Sequence, residues 1–93
     1  MAQQINEEVY EEMISALSTF CTNVSESCSE MENAAMECME NCEHDEASTK
    51  SYSRVGECVQ AFEKAVELAE KLAQAMNREL EEAREAARKA DNI

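Results

Sequence analysis

The stretch Asp45-Glu46-Ala47-Ser48-Thr49-Lys50-Ser51 interrupts an otherwise regular helical pattern near the middle of the chain. Its small polar side chains compete for backbone hydrogen bonds, so the stretch predicts a turn over about residues 45–52. The chain has no proline, and its single glycine, Gly56, follows soon afterwards. The sequence therefore predicts an all-α fold in which residues 1–93 form one domain of two long helices.

The residues before this turn carry apolar side chains at heptad spacing. We expect the first helix to run from about Asn6 to about His44, with Asn6 as its N-cap and two glutamates in its first turn. A heptad stripe keeps one face of a helix against a partner helix. This stripe comprises Tyr10, Ile14, Leu17, Cys21, Val24, Cys28, Met31, Ala35, Cys38 and Cys42.

The residues after the turn continue the same pattern. We expect the second helix over about residues 53–90, capped by Ser51 or Ser53. Its stripe comprises Val55, Val59, Phe62, Val66, Ala69, Ala73, Met76, Leu80, Ala83, Ala87 and Ala90, and it is broadened by Cys58, Ala65, Leu68 and Leu72. Because this face is wider than one helix can cover, we expect an antiparallel hairpin that dimerises into a four-helix bundle.

Composition supports this fold class and narrows the function. Aromatic residues make up only 4% of the chain, which favours a helical bundle over a β-sandwich. Residues 1–49 contain twelve acids and no Lys or Arg, whereas residues 50–93 contain nine acids and all eight Lys and Arg. No basic stripe is available to neutralise phosphates, which disfavours binding to nucleic acid. The acids of the first helix either form a solvated face, meet a basic partner, or pair with Lys64, Lys71 and Arg78 across the hairpin.

Neither a membrane span nor a catalytic site is indicated. No apolar run approaches the roughly 20 residues that a membrane span needs, and the N-terminus has no signal-peptide pattern. We expect a soluble cytoplasmic protein, or one exported without a cleavable signal. The chain has no glycine-rich phosphate loop and no Cys and His pair with an orienting group, so we expect neither an enzyme nor a cofactor.

One segment after the turn resembles a known family. Arg54-Val55-Gly56-Glu57-Cys58-Val59-Gln60-Ala61-Phe62 is similar to the start of the second helix in the Trp-x-Gly family of small type VII secretion substrates. Gly56, Ala61 and Phe62 match that family's Gly and Ala-Phe positions. The signature Trp is replaced by Arg54, and the C-terminal export element, an aromatic residue four before an acid, is replaced by Ala87.

The resemblance implies a hairpin that dimerises with itself or with a related helical protein. It also implies export by the type VII machinery, or a role as targeting partner of a larger secreted toxin. The two departures fit a partner protein whose cargo supplies the missing element. We expect the packing surface to include Val55, Gly56, Phe62, Leu72 and Met76.

The five cysteines allow several interpretations. The simplest is core packing, because a free Cys behaves as a small hydrophobe. Folding the chain about residue 49 or 50 would place Cys42 opposite Cys58, so a disulfide is an alternative. A further alternative is a Cu(I) or Zn(II) site, since thiols, thioethers and an imidazole suit these metals. That site would use Cys28, Cys38, Cys42, Cys58 and His44. Thiol catalysis is disfavoured because nearby glutamates raise a thiol pKa.

Overall fold

Two long α-helices account for nearly all of the chain. The computed structural model describes residues 5–92, and within that range it contains α1 (Glu7–Asn41) and α2 (Glu46–Asp91) and no strand. The helices pack side by side as an antiparallel hairpin that measures 73 × 16 × 14 Å. The predicted all-helical two-helix fold is confirmed.

The N-terminus of α1 follows the prediction. Asn6 has an extended backbone, and its side-chain oxygen accepts a hydrogen bond of 3.2 Å from the Val9 amide. Glu7 and Glu8 occupy the first turn, where their charge complements the helix dipole. Asn6 is thus the N-cap that the sequence predicts.

The reversal of the chain comes earlier than predicted. α1 ends at Asn41, and the next two residues after its C-cap, Glu43 and His44, have φ values of 53° and 56°. The His44 amide donates to the Met39 carbonyl at 3.0 Å, and the Glu43 amide donates to the Glu40 carbonyl at 3.4 Å. These two bonds form a Schellman motif, in which a left-handed residue ends the helix. The prediction of a turn over residues 45–52 is wrong, because most of that stretch is already helical.

Asp45 begins α2 and explains the error. Its carboxylate accepts a hydrogen bond of 2.7 Å from the Ser48 amide, while the Ser48 hydroxyl donates to the Asp45 carbonyl at 3.1 Å. The same polar residues that suggested a turn therefore cap a helix. Lys50 pairs with Glu46 one turn apart and adds to this first segment. The predicted caps, Ser51 and Ser53, lie inside α2 instead.

The inner stripe of α1 is mostly as predicted. The predicted residues from Tyr10 to Ala35 are all buried or half-buried. Beyond Ala35 the inward position shifts by one residue to Met39, which leaves Cys38 and Cys42 exposed. The prediction that these two thiols pack in the core is wrong for the single hairpin, because α1 ends at the turn.

The core between the helices is small. The buried apolar residues are Cys28, Val59, Ala69 and Leu80. The rest of both stripes is half-buried, with five exposed exceptions: Cys38, Cys42, Phe62, Ala87 and Ala90. The structure exposes 7349 Å² of surface, whereas a globular protein of this mass exposes about 5,400 Å². One hairpin therefore hides only part of its apolar surface. No helix in the described part is long and apolar enough to cross a bilayer.

Candidate interaction surface

One broad side of the hairpin carries most of the exposed large apolar side chains. We call this side the apolar face; it comprises Val9, Met13, Ala16 and Phe20 of α1 and Phe62, Leu68, Leu72 and Ala75 of α2. Phe62 belongs to the inner stripe of α2, and the other residues recur at intervals of three and four beside the stripes, on the same flank of each helix. Leu68 is 67% exposed and Leu72 is 50% exposed. Two leucines this exposed one turn apart indicate a surface that packs against something.

A groove shows that both flanks belong to the same side. It has a volume of about 240 Å³ and is lined by Phe62 of α2 together with Asn23 and Ser27 of α1 and the core residues beneath them. In an antiparallel pair, the same heptad flank of each helix faces the same way. The residues of α1 and α2 therefore form one continuous surface.

The opposite side of the hairpin is polar. One groove on that side is lined by Ser18 and Thr22 of α1 and by Glu70 and Gln74 of α2. A second polar groove on the same side includes Asn77. The contrast between the two sides shows that the exposed apolar residues are not spread at random, and it marks the apolar face as the candidate site.

The five residues predicted for the packing surface divide into three groups. Phe62 and Leu72 lie on the apolar face, while Val55 and Met76 are half-buried within the hairpin. Gly56 is exposed on the polar side, and a Cβ added there would meet no atom within 4 Å. Gly56 therefore makes no close contact with α1 in the hairpin. Leu68 is more exposed than Phe62 or Leu72, and its place in the broadened stripe was the signal for it.

The open end of the hairpin is joined by polar contacts. The Tyr10 hydroxyl donates a hydrogen bond of 2.8 Å to Glu79, and this bond raises the pKa of Tyr10, as do burial and the charge of Glu79. Arg84 contacts Glu7 and Glu11 of α1 as well as Glu81 of its own helix. These contacts set the register of the two helices.

The cations predicted to bridge the hairpin do not do so. Lys71 pairs with Glu67 of its own helix at 3.3 Å. Within the described residues, Lys64 and Arg78 have no carboxylate within 4.0 Å. Arg84 takes the bridging role instead, because it lies level with the first turns of α1. Two exposed cations on the outer edge of α2 are thus left free.

The thiols are separated along the hairpin. All five cysteines are free, and the earlier turn places Cys58 level with Cys28 rather than with Cys42. Cys21 donates a hydrogen bond of 3.7 Å to the Val66 carbonyl, which fixes this register. The expected position of Cys42 opposite Cys58 is wrong, because the chain folds about residues 42–45.

The surroundings of Cys28 and Cys42 make these two thiols less acidic than an ordinary cysteine. Desolvation, followed by the charge of Glu63, raises the pKa of Cys28. Desolvation, followed by the proximity of Cys38, raises the pKa of Cys42. A raised pKa lowers the fraction of reactive thiolate. Across residues 5–92, no three His, Cys, Asp or Glu side chains are grouped so that they could hold a metal ion. The metal site considered from the sequence, with His44 among its ligands, is not assembled within one hairpin.

Comparison of the sequence with protein-family models, with curated proteins and with solved structures finds no significant match. The features of the molecule that bear on function are therefore the apolar face and the charges around it.

Proposed function

We propose that this protein is a helical interaction module that binds another helical hairpin through the apolar face. The observation that supports this function is the concentration of exposed leucine, phenylalanine and methionine on one side of the hairpin. The partner is an identical chain or a related helical protein, and the product is a four-helix bundle. Such a bundle covers the second apolar flank of each helix, which a single hairpin leaves in water.

The apolar face can supply a large part of the free energy that association requires. Fully burying a leucine or phenylalanine side chain contributes about 1.5–3 kcal/mol relative to leaving it exposed. The face holds Leu68 and Leu72 on α2 and Phe20 and Met13 on α1, all at least 42% exposed. Even half of the possible gain at each position would offset much of the entropy lost on association.

Within this function, we place the protein among small type VII secretion substrates or their helical partners. The support is the two-helix layout together with Gly56, Ala61 and Phe62 in register with the Trp-x-Gly pattern. Arg54 stands where the family has its Trp, and Ala87 stands at the export element. These departures favour the role of a targeting partner over that of an autonomous substrate.

The interaction is tested by photo-crosslinking in cells. A photoreactive phenylalanine analogue replaces Leu68 on the apolar face or, as a matched control, Gln74 on the polar side of the same helix. We expect adducts from position 68 and few from position 74. Mass spectrometry then identifies the adduct as a second copy or as another helical protein. Absence of any adduct from position 68 would refute the proposed function.

The secretion role is tested separately. The chain is expressed in a bacterium with a type VII apparatus, alone and together with a co-encoded long-helix toxin, with and without the membrane ATPase of that apparatus. We expect ATPase-dependent appearance of the chain outside the cell when the toxin is present. Equal amounts outside cells that lack the ATPase would contradict this role and leave the interaction itself standing.

A further inference from the structure

We infer that the partner on the apolar face is a second copy of this chain, related by a twofold axis that runs parallel to the helices. In this dimer, α1 of each copy lies over α2 of the other, and the two turns are at the same end. The inference rests on the proposed function and adds to it the identity of the partner and its orientation.

The first support is the charge of the two outer edges of the hairpin. The acidic edge lies on α1 beside the apolar face and carries a residue every two turns, namely Glu12, Thr19, Glu26, Asn33 and Glu40. The basic edge lies on α2 and comprises, at the same spacing, Lys50, Glu57, Lys64, Lys71 and Arg78. All ten residues are exposed. A surface with one acidic and one basic edge is complementary to itself when one copy is turned over.

The second support is the register of the hairpin. The Tyr10–Glu79 and Cys21–Val66 hydrogen bonds show which residues of α1 and α2 lie level with one another. A twofold axis parallel to the helices leaves that level unchanged, so each α1 residue meets the α2 residue at its own height in the second copy. Along the edges the facing pairs are then Glu12 with Arg78, Thr19 with Lys71, Glu26 with Lys64, Asn33 with Glu57, and Glu40 with Lys50. Three pairs are of opposite charge, and none is of like charge.

The apolar residues agree with the same arrangement. At equal heights, Met13 lies over Ala75 of the second copy, and Ala16 lies over Leu72 of the second copy. In the same register Phe20 lies over Leu68 of the second copy, so two contacts pair a large side chain with an alanine and one pairs two large side chains. The hairpin is 16 Å wide, so a second copy stacked along the full length of α1 would cover about 800 Å² per chain, the size of a standard stable interface, with the apolar face toward its open end.

The other symmetric arrangement is disfavoured by charge. A twofold axis perpendicular to the helices would stack α1 on α1 and bring the two acidic edges together. Residues 1–49 contain twelve acids and no Lys or Arg, so those edges would repel each other with no cation between them. Stacking α1 on α2 keeps the two α1 helices diagonal in the bundle, and every adjacent pair of helices is antiparallel.

The orientation is tested on the native chain. Sedimentation equilibrium should give twice the 10.4 kDa of one chain. A carbodiimide, which joins an amine directly to a carboxylate, is then applied to a mixture of unlabelled and ¹⁵N-labelled protein. We expect interchain links from Lys64 to Glu26. A monomer at every concentration, or links from Lys64 only to acids of the second copy's α2, would overturn the inference.

A charge exchange tests the specific pair. Glu26→Lys and Lys64→Glu should each raise the dimer dissociation constant about tenfold, since each places two like-charged pairs in the dimer. Mixing the two variants should restore association to within about threefold of the native value, because both pairs then regain opposite charges. The matched control mixes Lys64→Glu with Glu63→Lys, which has the same net charges as Glu26→Lys but lies on the polar side. Its mixed dimer keeps one like-charged pair between positions 26 and 64, so it should form more weakly than the mixed dimer with Glu26→Lys.

The outcomes separate this inference from the proposed function. If the mixed dimers of the two pairs of variants form equally well, general charge attraction explains the result and the inference is wrong. If position 68 crosslinks only to a different helical protein, the interaction stands and the second copy is excluded.

Discussion

Replacing Glu43 with glycine should stabilise the protein, although it removes a side chain and adds no contact. Glu43 has φ 53° and is the left-handed residue that ends α1. An L-residue in this conformation costs roughly 1–2 kcal/mol, whereas glycine adopts it freely. Glycine also gains more conformational entropy on unfolding, which offsets part of the benefit. The net expectation is about 1 kcal/mol of added stability for Glu43→Gly.

Two controls isolate the backbone effect. Glu43→Gln removes the charge near the C-terminus of α1 but keeps the strained conformation, so it should account for only a few tenths of a kcal/mol. Glu32→Gly places glycine in the exposed middle of α1 and should lower stability by about 1 kcal/mol. The three variants are compared with the parent by urea denaturation followed by circular dichroism at one protein concentration. A midpoint for Glu43→Gly below that of the parent would refute the left-handed turn.

Three further results are expected. Asp45→Ala should lower the melting temperature by about 5 °C. Hydrogen bonds lower the pKa of Asp45, so the parent should lose the stabilisation from this cap as pH falls below about 4, whereas the variant has no such stabilisation to lose. A thiol reagent should modify the exposed Cys38 faster than the buried Cys28. Equal rates in the native protein would contradict the burial of Cys28 between the two helices. Leu80→Ala, at a side chain 3% exposed, should lower the free energy of unfolding by about 2–5 kcal/mol. Leu68→Ala should lower it much less at protein concentrations below the dimer dissociation constant and more at concentrations above it, as chemical denaturation at two concentrations would show.

The sequence predicted the inner stripes well and the turn poorly, for a physical reason. Heptad spacing from Tyr10 to Ala35 depends on many side chains, so a single exception does not alter the pattern. The turn depends on the conformation of two residues, Glu43 and His44, neither of which is a glycine. Asp45 was visible as an N-cap, but the polar residues after it fit a loop equally well.

This misplaced turn also explains what the sequence missed in the candidate site. The chain reverses at residues 42–45 rather than at residue 49 or 50. Each residue of α1 therefore lies opposite a residue of α2 about ten positions away from the one that the sequence predicted. With the wrong register, Cys42 meets Cys58 and the outer edges cannot be aligned. With the observed register, set by Tyr10 with Glu79, the charge pattern becomes interpretable.

The proposed dimer would explain the uneven distribution of charge between the two helices beyond solubility. Within one hairpin only Arg84 connects the acids of α1 to a cation of α2 in the described residues, and it does so at the open end. Lys64 and Arg78 lie on the far edge of α2, where their own α1 does not reach them. If the acids of α1 served only to keep the protein in solution, the basic edge of α2 would not need cations at the same two-turn spacing as the acidic edge of α1. Because the matching intervals coincide with the heights set by the hairpin register, the charges of α1 and α2 would complement each other in the proposed dimer.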